Sequence, residues 1–149
     1  MIALGADHGG FKLKEEIKKY LDEKDIKYKD YGTYSEERTD YPIYAEKVSK
    51  AIQGKECNLG ILICKSGAGM TVAANKFKGI RCSIAINEDM ARNSKADDDI
   101  NVLAIPAEYL SVSQVIAIIR TWIATDFKND DRYLSRLQMI ENIEEKEMK

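Results

Sequence analysis

Residues 59 to 75 constrain this chain more than any other stretch. Leu59 to Ile63 is an unbroken apolar run of the length a buried parallel strand uses. Cys64 stands where the run stops, Lys65 to Gly69 is small and flexible, and Met70 to Asn75 reads as the first turns of a helix. A strand, a glycine-bearing turn and a helix start together make a seat for an anion. Glycines let the backbone approach a ligand closely. The free amides of a helix start point outward with partial positive charge. Cys64 and the Ser66 hydroxyl border that seat. The constellation is therefore a nucleophile or base beside a phosphate cradle.

The rest of the chain alternates strand and helix around this unit. Ile2 to Ala6 reads as a first strand, with the turn Asp7-His8-Gly9-Gly10 behind it. Phe11 to Lys24 has helical spacing, with Phe11, Leu13, Ile17, Tyr20 and Leu21 toward one side. Ile26 to Tyr31 alternates like a strand, and Gly32 to Thr39 is a polar loop. Asp40-Tyr41-Pro42 opens a helix to about Gly54, with the proline in its first turn. After the helix from Met70 to about Lys76 come a strand over Ile80 to Ile86 and a helix over Asn87 to about Ala96. Glu88 and Asp89 in that helix's first turn suit its dipole. Asn101 to Ile105 is a fifth strand. Ser111 can cap a helix to about Thr125, and Asp130 or Asp131 can open a last one through Tyr133, Leu137, Ile140 and Ile143.

Strand and helix thus alternate five times. The pattern predicts an α/β fold in which an open five-stranded parallel sheet carries helices on both faces and ends in a C-terminal helix. Ligands of such sheets bind beyond the carboxyl ends of the strands. Asp7-His8, Cys64 to Gly69 and the 87 to 99 segment all follow strands, so they are expected to share one edge.

Composition narrows the function. The 149 residues fit a single domain. A chain this size buries roughly 70% of its unfolded surface and needs no staples. A net charge of −2 gives no electrostatic case for nucleic acid or an anionic membrane. No apolar stretch approaches the roughly 20 residues of a membrane span. Met1 leads straight into a strand-like segment, so no signal peptide is expected. Residues 141 to 149 hold four Glu and two Lys and read as a solvated helix end. Cys57, Cys64 and Cys82 are odd in number and lack C-x-x-C spacing, and His8 is the only histidine. A zinc site is not expected, and a reduced, cytoplasmic chain is.

Several short pieces, in this order and spacing, resemble the type B ribose-5-phosphate isomerase family, which also includes galactose-6-phosphate isomerase. They are Gly5-Ala6-Asp7-His8-Gly9-Gly10-Phe11, Asp40-Tyr41-Pro42, Cys64-x-Ser66-Gly67-x-Gly69-Met70, Ala73-Ala74-Asn75-Lys76, Gly79-Ile80-Arg81, Asn101-Val102-Leu103 and Arg132-x-x-x-Arg136. The resemblance covers nearly the whole chain. It implies a three-layer αβα sandwich that isomerises phosphorylated aldoses and ketoses with no metal or organic cofactor. It also implies a homodimer or tetramer whose active site is shared between subunits.

The resemblance also implies roles. Cys64 is the base moving a proton between C1 and C2 of the open-chain sugar; the residues alone equally allow a small buried apolar side chain. Ser66, usually Thr in the family, shuffles a proton between the two oxygens; the alternative is a turn residue bonding its own loop. Gly67, Ala68, Gly69 and Met70 form the anion hole for the enediolate. A dinucleotide fingerprint fits poorly, since no third Gly follows and the loop comes after the third strand. Asp7, His8, Asp40 and Tyr41 contact the sugar phosphate, although Asp40 also suits a helix cap. Arg132 and Arg136, four apart, share one helical face and grip the phosphate, with Lys65 as a further cation.

The chain departs from the family at four further places. Counting back from Asn101, the usual ring-opening His falls on Asp97 and the Asn after it on Asp98. Asp97 can act as the ring-opening acid only where burial or crowding raises its proton affinity. Glu108 stands where an Arg is usual, so its loop is expected to point away from phosphate. Tyr133 stands where a His often follows the first Arg. The expected activity is the interconversion of ribose 5-phosphate and ribulose 5-phosphate. The alternatives are an isomerase of a six-carbon sugar phosphate such as allose or galactose 6-phosphate, and a non-catalytic sugar-phosphate or nucleotide-binding module.

Overall fold

The computed structural model describes residues 1–148. Five strands form one sheet: β1 (Ile2–Ala6), β2 (Tyr28–Asp30), β3 (Leu59–Cys64), β4 (Cys82–Ile84) and β5 (Val102–Pro106). All pairings are parallel and the spatial order is β2-β1-β3-β5-β4. Six helices accompany them: α1 (Phe11–Glu23), α2 (Tyr41–Gln53), α3 (Ala68–Ala74), α4 (Glu88–Asp98), α5 (Val112–Ala124) and α6 (Asp131–Glu147). The α/β reading and the C-terminal helix are both present.

Side chains alternate across a strand, and the core divides accordingly. Ile2, Leu4, Ala6, Ile61, Ile63, Leu103 and Ile105 pack against α1, α4 and α5, with Trp122 fully buried among them. Ala3, Leu62, Cys64, Val102 and Ala104 face the opposite layer, built from α2 and α3. Both faces of β1, β3 and β5 are therefore covered, which is why these strands read as continuous apolar runs.

Helix ends follow local chemistry. Ser111 and Gln114 form a reciprocal capping box at the start of α5. The Asn87 side chain accepts from the Met90 N–H at 2.8 Å and caps α4. Asp40 occupies the cap position of α2 but makes no side-chain capping bond. Helix α3 begins two residues earlier than its sequence suggested. Gly67, at φ 75°, takes the left-handed conformation that turns the chain out of β3, and its carbonyl accepts from both the amide and the hydroxyl of Thr71. The two edge strands are shorter than expected. The Ile26 amide still bonds back to Leu21 of α1, and the Arg81 amide turns to the Asn101 side chain, so neither amide is free for a ladder.

From β1 the chain winds to β2 on one side and later to β3 on the other. The switch point therefore lies between the carboxyl ends of β1 and β3, the place where a crevice opens in sheets of this kind.

Candidate active site

Three strand exits are laced together at that switch point. The Asp7 amide donates to the carbonyl of Ile63 at 3.3 Å, the Ala107 amide to that of Cys64 at 2.9 Å, and the Glu108 amide to that of Lys65 at 3.0 Å. The loops after β1, β3 and β5 thus share one edge, as the sequence implied for the first two.

Cys64 closes β3, with 4% of its surface exposed. Its sulfur accepts the Gly67 amide at 3.1 Å. The side chain belongs to the apolar layer under α2 and α3, yet its sulfur addresses the turn. Burial in that layer agrees with the apolar reading of Cys64, and the Gly67 amide is its one polar contact toward the turn. Ser66 is exposed, and its Oγ accepts the Ala68 amide at 3.2 Å, the turn-bonding role weighed against a catalytic one. The amides of Gly69 and Met70 lie in the first turn of α3, where a helix lacks internal acceptors. The Tyr41 ring covers Gly69 so closely that an added Cβ would meet ring atoms at 2.6 Å.

Asp7 is buried, and its Oδ1 accepts the Gly10 amide at 3.2 Å. Burial raises its proton affinity above the usual carboxylate range; His8 and the backbone amides oppose the shift without cancelling it. His8 is exposed and its Nδ1 meets Thr39, 3.0 Å from the carbonyl and 3.2 Å from the amide. This pins the 32–40 loop across the edge and brings Asp40 and Tyr41 toward α3. Thr39 escaped the sequence reading because its contribution is made by the backbone.

Two expectations need correction. The Glu108 loop does not turn away: the Glu108 carboxylate lies 3.5 Å from the Lys65 ammonium, so it offsets Lys65, one of the candidate phosphate cations. The 87 to 99 segment does not share the edge as a whole. Only its start does, because α4 runs back along the sheet. The Arg81 guanidinium binds the carbonyls of Asp98 and Asp99, and the Arg81 carbonyl accepts the amide of Val102, the first residue of β5. Cys64 is paired with Pro106 at the other end of β5. Four strand steps, roughly 13 Å, separate those ends. Within one chain Asp97 and Asp98 therefore stand at the edge opposite Cys64.

Arg132 and Arg136 share one face of α6, as their spacing required. They approach the Tyr133 ring at 5.0 and 5.7 Å from its centre. Arg132 and Lys128 both donate to the Tyr133 hydroxyl, at 3.0 and 3.2 Å. Lys128 is ion-paired to Asp97 at 2.9 Å. These cations thus sit beside the end of α4, away from Cys64. Lys128 was missed because it precedes the helix and is hidden by Asn129, Asp130 and Asp131. Its spacing of four before Arg132 was the available signal. Among the described residues no group of three or more His, Cys, Asp or Glu is arranged to hold a metal ion. No helix there is long and apolar enough to cross a membrane.

Residues 2–140 match the family described as Ribose/Galactose Isomerase. The chain is similar to ribose-5-phosphate isomerase B of Escherichia coli, 40% identical over 97% of each chain. Among solved structures it is similar to ribose-5-phosphate isomerase B of Clostridium thermocellum, with a TM-score of 0.95, 38% identity and 97% of each chain covered. It is also similar to the Mycoplasma genitalium enzyme with bound ribulose-5-phosphate, with a TM-score of 0.90, 32% identity, and 97% of this chain and 95% of that one covered.

Proposed function

This chain belongs to the ribose/galactose isomerase family, and from that premise we propose that it interconverts ribose 5-phosphate and ribulose 5-phosphate through an enediolate. The observation that carries this reading is the Cys64 sulfur held on the Gly67 amide beside the start of α3, at the sheet's switch point. The bound ribulose-5-phosphate of the Mycoplasma genitalium relative supports the five-carbon substrate over a six-carbon one.

In this account Cys64 takes the proton from C2 of the open-chain aldose and returns it to C1. The carbonyl oxygen at C1 gains a proton while the C2 hydroxyl loses one, and Ser66 passes it between them. Negative charge grows on oxygen in the enediolate. The amides of Gly69 and Met70 stabilise it, since donors fixed beforehand cost no reorganisation when the charge appears; those of Gly67 and Ala68, also expected in the anion hole, are engaged by the Cys64 sulfur and the Ser66 hydroxyl. Asp7, His8, Asp40 and Tyr41 hold the sugar at the rim. A coupled assay with EDTA present is expected to show turnover of ribose 5-phosphate, with kcat/KM exceeding that for allose 6-phosphate. The opposite ratio would overturn the pentose assignment, and no turnover would overturn the isomerase.

We propose further that the working form is a homodimer, or a tetramer built from such dimers, in the cytoplasm. Asp97, Asp98, Arg132 and Arg136 of one copy would complete the Cys64 cleft of another, with the arginines holding phosphate and Asp97, ion-paired to Lys128, tethering that cation and not serving as the ring-opening acid. Support comes from the separation of the two half-sites within one chain and from the absence of carboxylate partners, among the described residues, for either arginine. A mixture of two inactive variants tests it. Cys64→Ala and Arg132→Leu chains, unfolded and refolded together, should regain about a quarter of wild-type activity, because random pairing restores one intact site in half of the dimers. No recovery in mixed dimers would place both half-sites in one chain.

A further inference from the structure

Taking the isomerase reading as given, we propose that Tyr133 is a positioning residue that gathers Lys128, Arg132 and Arg136 into one anion receptor. Lys128 is then the third cation on the substrate's phosphate. The geometry is unusual for a surface helix. Tyr133 is the only buried residue of α6 among those described, yet three cations crowd its ring, at 4.8, 5.0 and 5.7 Å from the centre. Two of them also donate to its hydroxyl. Like charges held so close repel, and something must offset that. Arg81, Arg92 and Arg120 each have a carboxylate within 4.0 Å; Arg38, like the α6 arginines, has none among the described residues, but only Arg132 and Arg136 share a ring with another cation.

A phenol solves a problem that a carboxylate cannot. Its ring face attracts cations and its oxygen accepts their N–H groups, but it carries no charge to cancel theirs. The cations in turn pull the Tyr133 proton affinity below the usual phenol range, the mark of hydrogen bonding from Lys128 and then Arg132. The one acid in the cluster is Asp97, which tethers Lys128. Three positive groups and one negative leave two positive charges, the complement of a phosphate dianion. The chain needs such a device because Glu108 stands beside Lys65 and offsets it.

Calorimetric titration of the assembled protein with inorganic phosphate, paired with steady-state kinetics on ribose 5-phosphate, tests this directly. Lys128→Gln should weaken phosphate binding about tenfold, the size of one charge-assisted hydrogen bond. KM should rise by a similar factor while kcat stays within about twofold, the signature of lost uniform binding. Lys128→Arg should restore most of both. Tyr133→Phe keeps the ring and should lose a few-fold through the missing acceptor; Tyr133→Leu should lose more. The phenylalanine variant carries the test if the leucine one does not fold. Phosphate bound by Lys128→Gln as tightly as by wild type, or a fall in kcat with KM unchanged, overturns the inference. If wild type shows no isomerase turnover while Lys128→Gln still weakens phosphate, the isomerase reading falls and the receptor stands.

Discussion

Cys64→Ala is expected to lower kcat about a thousandfold or more while the chain still folds and still binds phosphate. A positioned general base contributes roughly 10²- to 10⁴-fold, and here the same group handles the proton on both sides of the enediolate. The side chain is small and its sulfur has one polar contact, the Gly67 amide. Its removal leaves about a methyl-sized void, worth on the order of 1 kcal/mol, or a drop in Tm of about 2 to 4 °C. The catalytic loss should therefore far exceed the structural one. Cys64→Ser separates the two further, because it keeps an acceptor for Gly67 and nearly the same shape but offers a hydroxyl that does not ionise at neutral pH. Both variants should be inactive in the coupled assay, with circular dichroism unchanged. Turnover within tenfold of wild type in either would remove the sulfur from the chemistry.

Gly10→Ala is expected to destabilise the fold by about 3 kcal/mol and to lower Tm by roughly 6 to 12 °C. Gly10 sits where the loop after β1 passes over the end of β3. A Cβ there would lie 2.5 Å from the Ile63 carbonyl oxygen and 2.8 Å from its carbon. These are backbone atoms in a central strand, so they cannot swing aside as a side chain can. The Ile63 carbonyl is also the acceptor for the Asp7 amide. Relief of the clash would pull β1's exit away from β3 and move Asp7 and His8 from the Cys64 turn. Activity should fall with stability, and thermal melting of the variant measures the larger effect. A melting temperature within 2 °C of wild type would show that the loop yields without the sheet.

The sequence made the fold legible because its local signals agree with one another. The apolar runs at Ile2 and Leu59, the Ser111 cap and the proline at the start of α2 each point to the element that forms. The errors lie where one residue serves two masters. Gly67 leaves β3 and begins α3 in a single step, so the helix starts earlier than its apolar residues do. Arg81 and Asn101 use their side chains to close the sheet's lower edge, and this shortens β4.

The site was legible only in part, and for a topological reason. Asp7, His8, Cys64 and the turn behind it lie directly after strands, so strand order alone brings them together. Asp97 and Asp98 also follow a strand in sequence, but α4 carries them the length of the sheet before they appear. The arginine spacing was readable as a shared helix face. The phenol that organises it was not, because cations arranged around a neutral ring have no charge pattern that differs from a solvated basic face. Glu108 was expected to face elsewhere and instead meets Lys65, a partner that belongs to a different loop.

If the Cys64 sulfur carries the proton between the two sugar carbons, solvent hydrogen must enter the sugar at the carbon it serves. Proton magnetic resonance of ribose 5-phosphate in deuterated water tests it most directly, because a thiol exchanges its proton with solvent and would deliver deuterium to the carbon it serves. Wild type should replace the C2 hydrogen with deuterium as it turns over. Cys64→Ala and Cys64→Ser, at concentrations that saturate with substrate, should leave that hydrogen in place beyond the uncatalysed rate. Deuterium entering at the wild-type rate in either variant would show that another group moves the proton.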